Sequence, residues 1–340
     1  MRARLQTTRS SHVISIFAIV LTWCWAGSAV AEQPVLVSVQ KIWDKAAHSA
    51  FPDLTRFGNR WYCVFREGTG HVGDCGSVRV LTSGDGETWQ SVAELRQESL
   101  DLRDPKITVT PDGRLMLLMG ITVYGNDGQR LVDKMSQLVA FSNDGSQWER
   151  HRGVLPRGHW LWRVTWNSDV GYGFSKVETV GKPKRGFLWK TADGRNYTFI
   201  HEFNLPGMTE TTFRQLPDST MLAVTRYPKT GLIGTSRPPY REWTWTEAGR
   251  LFGGPNWSER DNGELWATSR LYNVDDPKNG PRRTALFSLT RNSITPALIL
   301  PSGGDTGYAG MVWHDDLLWL SYYSSHEERT SIYLAKIRFE

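Results

Sequence analysis

The chain has 340 residues, of which 39% are hydrophobic, 22% charged and 12% aromatic, with 16 tryptophans; that apolar fraction supports a packed core and excludes both a polytopic membrane protein and a disordered chain. The formal net charge of +5 falls to +2 once Arg2, Arg4 and Arg9, in a segment expected to be removed, are subtracted. Without basic runs, nucleic acid is not an expected partner, and three cysteines cannot build a disulfide framework.

Arg2, Arg4 and Arg9 precede an apolar run from Val13 to Trp25, followed by Ala29-Val30-Ala31. A basic start, a short apolar core and a small-residue site predict a secretory signal peptide over 1–31, cleaved before Glu32. The apolar core is about a dozen residues, short for a spanning helix, so a secreted or periplasmic protein with no membrane span after signal removal is expected. Cys63 and Cys75 then remain, and their pairing is left open.

Residues 32–340 show no sustained helical period. Short runs rich in Val, Ile, Thr, Tyr and Trp alternate with Gly, Asn, Asp and Pro turns at intervals of about ten residues. Three turns share one form: Ser83-Gly84-Asp85-Gly86-Glu87-Thr88-Trp89, Ser142-Asn143-Asp144-Gly145-Ser146-Gln147-Trp148 and Thr191-Ala192-Asp193-Gly194-Arg195-Asn196-Tyr197. In each, the Asp is expected to bond the turn backbone, the Gly to take the left-handed position, and the aromatic residue to tuck beneath. Their spacings of 59 and 49 residues define a repeat of about 50 residues. Six blades follow, over roughly 48–97, 101–155, 159–203, 206–252, 253–300 and 304–340. The last has three strands, and Val35 to Trp43 has no blade of its own. The expected fold is an all-β six-bladed propeller in which the N-terminal strand closes the last blade and removes the open edge.

Aligning the blades predicts one functional rim. Arg66, Arg226 and Arg270 each lie five residues after the start of a second strand, at Trp61, Met221 and Leu265. On first strands, Asp104 and Glu210 each lie eleven residues before the second strand, and Tyr308 ten. Antiparallel pairing puts Asp53, Asp104, Glu210 and Tyr308 on one face with the three Arg, joined by His71 and Asp74 from the following loop. Three in-register cations call for an anion.

The turns, together with Glu210-Thr211-Thr212-Phe213-Arg214-Gln215-Leu216-Pro217-Asp218 running on to Arg226, resemble the sialidase superfamily, as does Gly307-Tyr308-Ala309-Gly310-Met311. The resemblance implies a nucleophilic Tyr308, with Glu210 taking its proton, and an Asp from the first blade as acid/base. It also implies an Arg where Ala50 stands, and Arg66 on the neighbouring strand is the candidate replacement. Leu102-Arg103-Asp104-Pro105 resembles the Arg-Asp-Pro motif of five-bladed glycosidases acting on furanosides, which implies that Asp104 stabilises a transition state.

The leading expectation is therefore a sialidase-like exo-glycoside hydrolase for an acidic sugar, sialic acid or a relative. Arg226, Arg270 and Arg66 would bind the carboxylate, with His71 and His48 as further contacts. A neutral Tyr nucleophile suits a substrate whose own charge repels a carboxylate. Asp53 and Asp74 both stand as acid candidates. One alternative is a uronate lyase, with His48 or His71 and Tyr308 or Tyr124 abstracting a proton. Another is a non-catalytic carbohydrate-binding propeller using Trp platforms, among which Trp160, Trp162, Trp166, Trp257 and Trp266 fit the repeat least well. The expected partner is an anionic glycan or polysaccharide, the expected state a monomer, and no metal or other cofactor is called for.

Overall fold

The computed structural model describes residues 32–273 and 275–340; the expected signal segment lies outside them. Among the described residues of Gln33–Glu340, twenty-four strands form six four-stranded antiparallel sheets, the first strand being β1 (Pro34–Trp43). Blade 1 is β2 (His48–Phe57), β3 (Arg60–Gly68), β4 (Ser77–Ser83) and β5 (Gln90–Leu95). Blade 2 is β6 (Asp101–Val109), β7 (Leu115–Thr122), β8 (Ser136–Ser142) and β9 (Glu149–Arg152). Blade 3 is β10 (His159–Asn167), β11 (Val170–Thr179), β12 (Lys182–Thr191) and β13 (Tyr197–Phe203). Blade 4 is β14 (Thr209–Gln215), β15 (Met221–Arg226), β16 (Leu232–Ser236) and β17 (Thr244–Glu247). Blade 5 is β18 (Asn256–Glu259), β19 (Leu265–Leu271), β20 (Arg283–Leu289) and β21 (Ile294–Ile299). Blade 6 is β22 (Thr306–His314), β23 (Leu317–Ser324) and β24 (Ser331–Phe339), completed by β1.

The closure is the one expected from sequence. β1 pairs antiparallel with β24 from Pro34 opposite Phe339 to Trp43 opposite Ile332, so strands from the first and last described segments share one sheet and β1 covers β24. First strands of neighbouring blades pack on each other around the axis, and β22 returns to β2. That last contact needs a bare backbone: a Cβ on Gly310 would lie 2.2 Å from the Leu54 nitrogen.

Apolar side chains seal the seams between blades. Tyr62, Val64 and Val80 of blade 1 pack with Leu102, Leu117 and Met119 of blade 2. Leu222, Val224 and Ile233 of blade 4 pack with Trp257, Ala267 and Phe287 of blade 5. The seams bury the aromatic surplus too: Trp61 and Trp257 are fully buried, and Trp160 and Trp266 nearly so.

The three repeated turns have the expected geometry. Asp85 Oδ1 accepts from the Glu87 and Thr88 amides at 2.9 and 2.8 Å, Gly86 has φ 76°, and Trp89 Nε1 donates to the Gly86 carbonyl at 3.1 Å. Asp144 and Asp193 repeat the amide bonds, with Gly145 and Gly194 at φ 79° and 71°. Each turn joins the third strand to the fourth and so lies at the face opposite the starts of the first strands. Cys63 is buried and Cys75 exposed, and both are free thiols.

Candidate functional site

A bulge near the start of the first strand recurs around the ring. Register shifts fall between Ala50 and Asp53, Arg103 and Lys106, Leu161 and Arg163, Thr209 and Thr211, and Gly307 and Gly310. At four of them a non-glycine residue is left-handed: Phe51 (φ 60°), Asp104 (47°), Glu210 (42°) and Tyr308 (55°). Such φ values are costly for side chains with a Cβ, and bulges re-aim the residue they carry. Here they turn Phe51, Tyr308 and Glu210 toward one another, with Trp162 of blade 3 in the same group. In blade 5, Gly254 (φ 60°) takes the corresponding place, and a Cβ there would lie 2.5 Å from Tyr308 Cγ.

At the centre, the Tyr308 hydroxyl donates to Glu210 Oε1 at 2.9 Å. Arg226 Nη1 donates to the same oxygen at 2.7 Å, and the Gly254 amide donates to Oε2 at 2.8 Å. Burial pushes the Glu210 carboxyl up, but Arg226, the Gly254 amide, Lys176 and Tyr308 outweigh it and bring the pKa down to about 2. Tyr308 goes the other way: burial and the neighbouring Glu210 charge raise it well above the ordinary phenol value, against the pull of Arg226 and Arg270. Glu210 is thus an ionised acceptor holding a protonated Tyr.

The three Arg predicted to be in register are equivalent by strand pairing. Arg66 is opposite Ala50 and Arg226 opposite Thr209, while the Arg270 amide donates to the Gly253 carbonyl at 3.0 Å. Their surroundings differ. Arg66 has 0% side-chain exposure and is consumed by structure: Nε donates to Asp101 at 2.7 Å, Nη1 to the Gly70 carbonyl at 2.8 Å, and Nη2 to Asp74 Oδ1. It is therefore not available to replace the Arg absent at Ala50, and the expected substrate role is corrected to an anchor for the loop after β3. Arg270 is also buried, donating to the Thr306 carbonyl (2.7 Å), Tyr323 (3.0 Å), Tyr272 (3.2 Å) and Asp305 (3.2 Å). Its guanidinium carbon lies 5.4 Å from the Tyr308 ring centre, so it acts from behind the tyrosine and offers no free fork. Arg226 alone keeps an open side chain, 41% exposed.

The two acid candidates fare similarly. Asp53 lies two residues beyond the bulge, where Phe51 takes the place toward the axis. It is 1% exposed, bridged to Arg163 Nη1 and Nη2 at 3.0 and 3.2 Å, and accepts the Ile107 amide at 3.0 Å. Asp74 is clamped by Arg66 and by the Thr69 amide at 2.5 Å. Burial would raise its carboxyl, yet the Thr69 amide and Arg66 hold it below the ordinary value, the wrong direction for a proton donor. The role expected of Asp53 is corrected to a structural one, while Asp74 is held by Arg66 in the loop after β3. Asp104 stands at its bulge among Arg103, Lys106 and Lys176, with no hydrogen bond to its carboxylate among the described residues.

His48, His71 and Asp305 form a second cluster beside Phe51. Asp305 Oδ2 meets His71 Nδ1 at 2.6 Å and His48 Nε2 at 3.1 Å, while Oδ1 accepts from Tyr323 at 2.7 Å and Arg270 at 3.2 Å. Burial raises the Asp305 carboxyl, but the two His contacts and Arg270 bring it far below the usual carboxylate range. His48 is buried beneath this cluster, so its expected substrate contact is corrected to support. These three side chains offer ligand atoms within 4.8 Å of one another. The hydrogen bonds already satisfy the carboxylate, and the Arg270 cation opposes a metal ion there. Tyr124 donates to Asp101 at 2.9 Å and takes no part in the centre.

Sequence reasoning missed Asp305, Tyr323, Lys176 and Phe51. The five-residue count that selected the Arg reaches Tyr323 when started at Leu318. Asp305 and Phe51 carry no such signal, because only folding reveals their neighbours. Lys176 rises from β11 and, with Lys182, Lys184, Thr209, Glu210 and Arg226, lines a cavity of ≈ 460 Å³. Burial brings the Lys176 ammonium down to about 8, and does the same to Lys106.

The sequence matches no protein-family model and no curated protein. Among solved structures, a Dyadobacter fermentans protein of unknown function is similar with a TM-score of 0.77 at 15% identity, over 91% of this chain and 100% of that one. Trypanosoma rangeli sialidase in complex with sialic acid is similar with a TM-score of 0.65 at 13% identity, over 91% of this chain and 59% of that one. An α-L-arabinofuranosidase from Fusarium graminearum, in complex with an iminosugar inhibitor, follows at 0.64 and 12%, over 89% and 98%. At these identities the likeness establishes the propeller. The chain spans about three fifths of that sialidase.

Proposed function

We propose that this protein is a glycoside hydrolase for an acidic sugar, with Tyr308 as nucleophile and Glu210 as its base. The observation that carries this reading is the 2.9 Å hydrogen bond from Tyr308 to an ionised Glu210 at the centre of the ring. Glu210 and Tyr308, 98 residues apart in sequence, are both held at left-handed φ where they make that bond. The sialidase and arabinofuranosidase likenesses agree with a sugar substrate.

The anion enters the mechanism through Arg226. The bond from Arg226 to Glu210 keeps that carboxylate a weak base. A substrate carboxylate that takes over the open face of Arg226 weakens this hold and raises the basicity of Glu210 when Tyr308 must lose its proton. Lys176, Lys182 and Lys184 along the same cavity add positive field. Arg270 behind the Tyr308 ring favours the developing phenolate, and Asp104 would accept from a sugar hydroxyl or stabilise the charge that builds on the ring.

The test is release of a fluorogenic aglycone from glycosides of sialic and uronic acids by the wild-type protein and Tyr308→Phe. Wild-type turnover with a loss of at least about 10²-fold in the variant is expected. Equal rates in the two proteins would remove Tyr308 from the chemistry. Inertness of the wild type toward every acidic glycoside would reject the reading.

A further inference from the structure

A retaining reaction through Tyr308 needs a group that protonates the departing oxygen, and Asp53 and Asp74 are both held in ion pairs with arginines. We infer that His71 is the general acid/base, oriented by Asp305; this rests on the hydrolase reading above. His71 lies in the loop after β3, at the mouth of the ring, with its side chain 44% exposed. A leaving group departs toward solvent, so its proton donor belongs at the mouth and not at the level of the bulges, where Asp104 stands.

The Nδ1 atom meets Asp305 Oδ2 at 2.6 Å, and Nε2 has no protein partner among the described residues. A carboxylate on Nδ1 fixes the ring and keeps a proton there, which leaves Nε2 as the exchanging atom. Asp305 is itself fixed by Arg270 and Tyr323 through its other oxygen and by His48 on the same one. The imidazole packs edge-on at 4.9 Å against Phe51, whose ring centre is 5.2 Å from that of Tyr308. One aromatic ring therefore separates acid from nucleophile.

The steps balance. Tyr308 Oη attacks the anomeric carbon and passes its proton to Glu210, while the bond to the aglycone oxygen breaks and that oxygen takes the Nε2 proton of His71. Neutral His71 then removes a proton from water as the water oxygen attacks the anomeric carbon. The Tyr308 C–O bond breaks, and the phenolate recovers its proton from Glu210.

The experiment compares two glycosides of the same acidic sugar, one with a 4-nitrophenyl and one with an alkyl aglycone. His71→Asn keeps a donor for Asp305 and loses the exchanging nitrogen. It should retain the nitrophenyl rate within about 10-fold, because a good leaving group needs little protonation, and lose about 10²–10⁴-fold on the alkyl substrate. Equal loss on both, or no loss, overturns the assignment. So does a leaving-group-selective loss in Asp104→Asn, or inactivation of the wild type by a chelator, which would make His71 a metal ligand. If His71→Asn fails to fold, the same pair of substrates is applied to His71→Gln. A wild type inert on both substrates defeats the hydrolase reading itself, and this one with it; activity that depends on Glu210 but not on His71 defeats only this one.

Discussion

Replacing Glu210 by Gln tests the electrostatic centre through stability as well as rate. The carboxylate receives Arg226 and Tyr308 on one oxygen and the Gly254 amide on the other. An amide side chain has one acceptor, so either orientation sets its NH2 against a donor. The pKa of Glu210, brought from 4.5 to about 2, corresponds to about 3 kcal/mol in favour of the ionised form at 1.36 kcal/mol per pKa unit. Arg226 is 41% exposed and recovers water when its partner is neutralised, so the expected loss is smaller, about 1–2 kcal/mol. The sign with pH follows from the lowered value: the contribution is complete above pH about 4.5 and is lost as pH falls toward 2. Thermal or urea unfolding of wild type and Glu210→Gln at pH 7, 4.5 and 3 should show a gap that narrows on acidification. Turnover at pH 7 should fall by about 10²–10⁴. A gap as wide at pH 3 as at pH 7 would mean that packing, not ionic pairing, is lost. A variant more stable than wild type at pH 7 would mean that the cost of burying the charge exceeds the value of its partners.

Asp53→Asn leaves Arg163 buried without its bidentate partner and should lower stability by about 3–5 kcal/mol; an unchanged urea midpoint would refute the structural role given to Asp53. Cys75 should react with a thiol reagent in the native protein. Cys63, buried and with burial pushing its thiol far up, should react only on unfolding. Peptide mapping of the labelled sites distinguishes the two, and labelling of native Cys63 would contradict the packing of β3.

The propeller was legible because its information is local and repeated. An Asp that bonds the next two amides, a left-handed Gly and a following aromatic residue specify the turn within seven residues, as in Ser83 to Trp89. The bulge residues Asp104, Glu210 and Tyr308 were legible for the same reason, since each sits at a near-constant distance from a tight turn. Blade 1 breaks the pattern because its bulge carries Phe51, while the nearest charge in sequence, Asp53, lies two residues away. What no count along the chain shows is which carboxylate a neighbouring blade or loop brings to a given Arg. Arg66, Arg226 and Arg270 occupy one position in three blades, yet Asp101 and Asp74 claim the first, and Asp305 with two tyrosines claims the third. Arg226 leans on Glu210, and its other side stays open. The one Arg of the three left accessible is thus the one paired with Glu210, the proposed base, so an incoming anion that competes for it would change the proton affinity of that carboxylate.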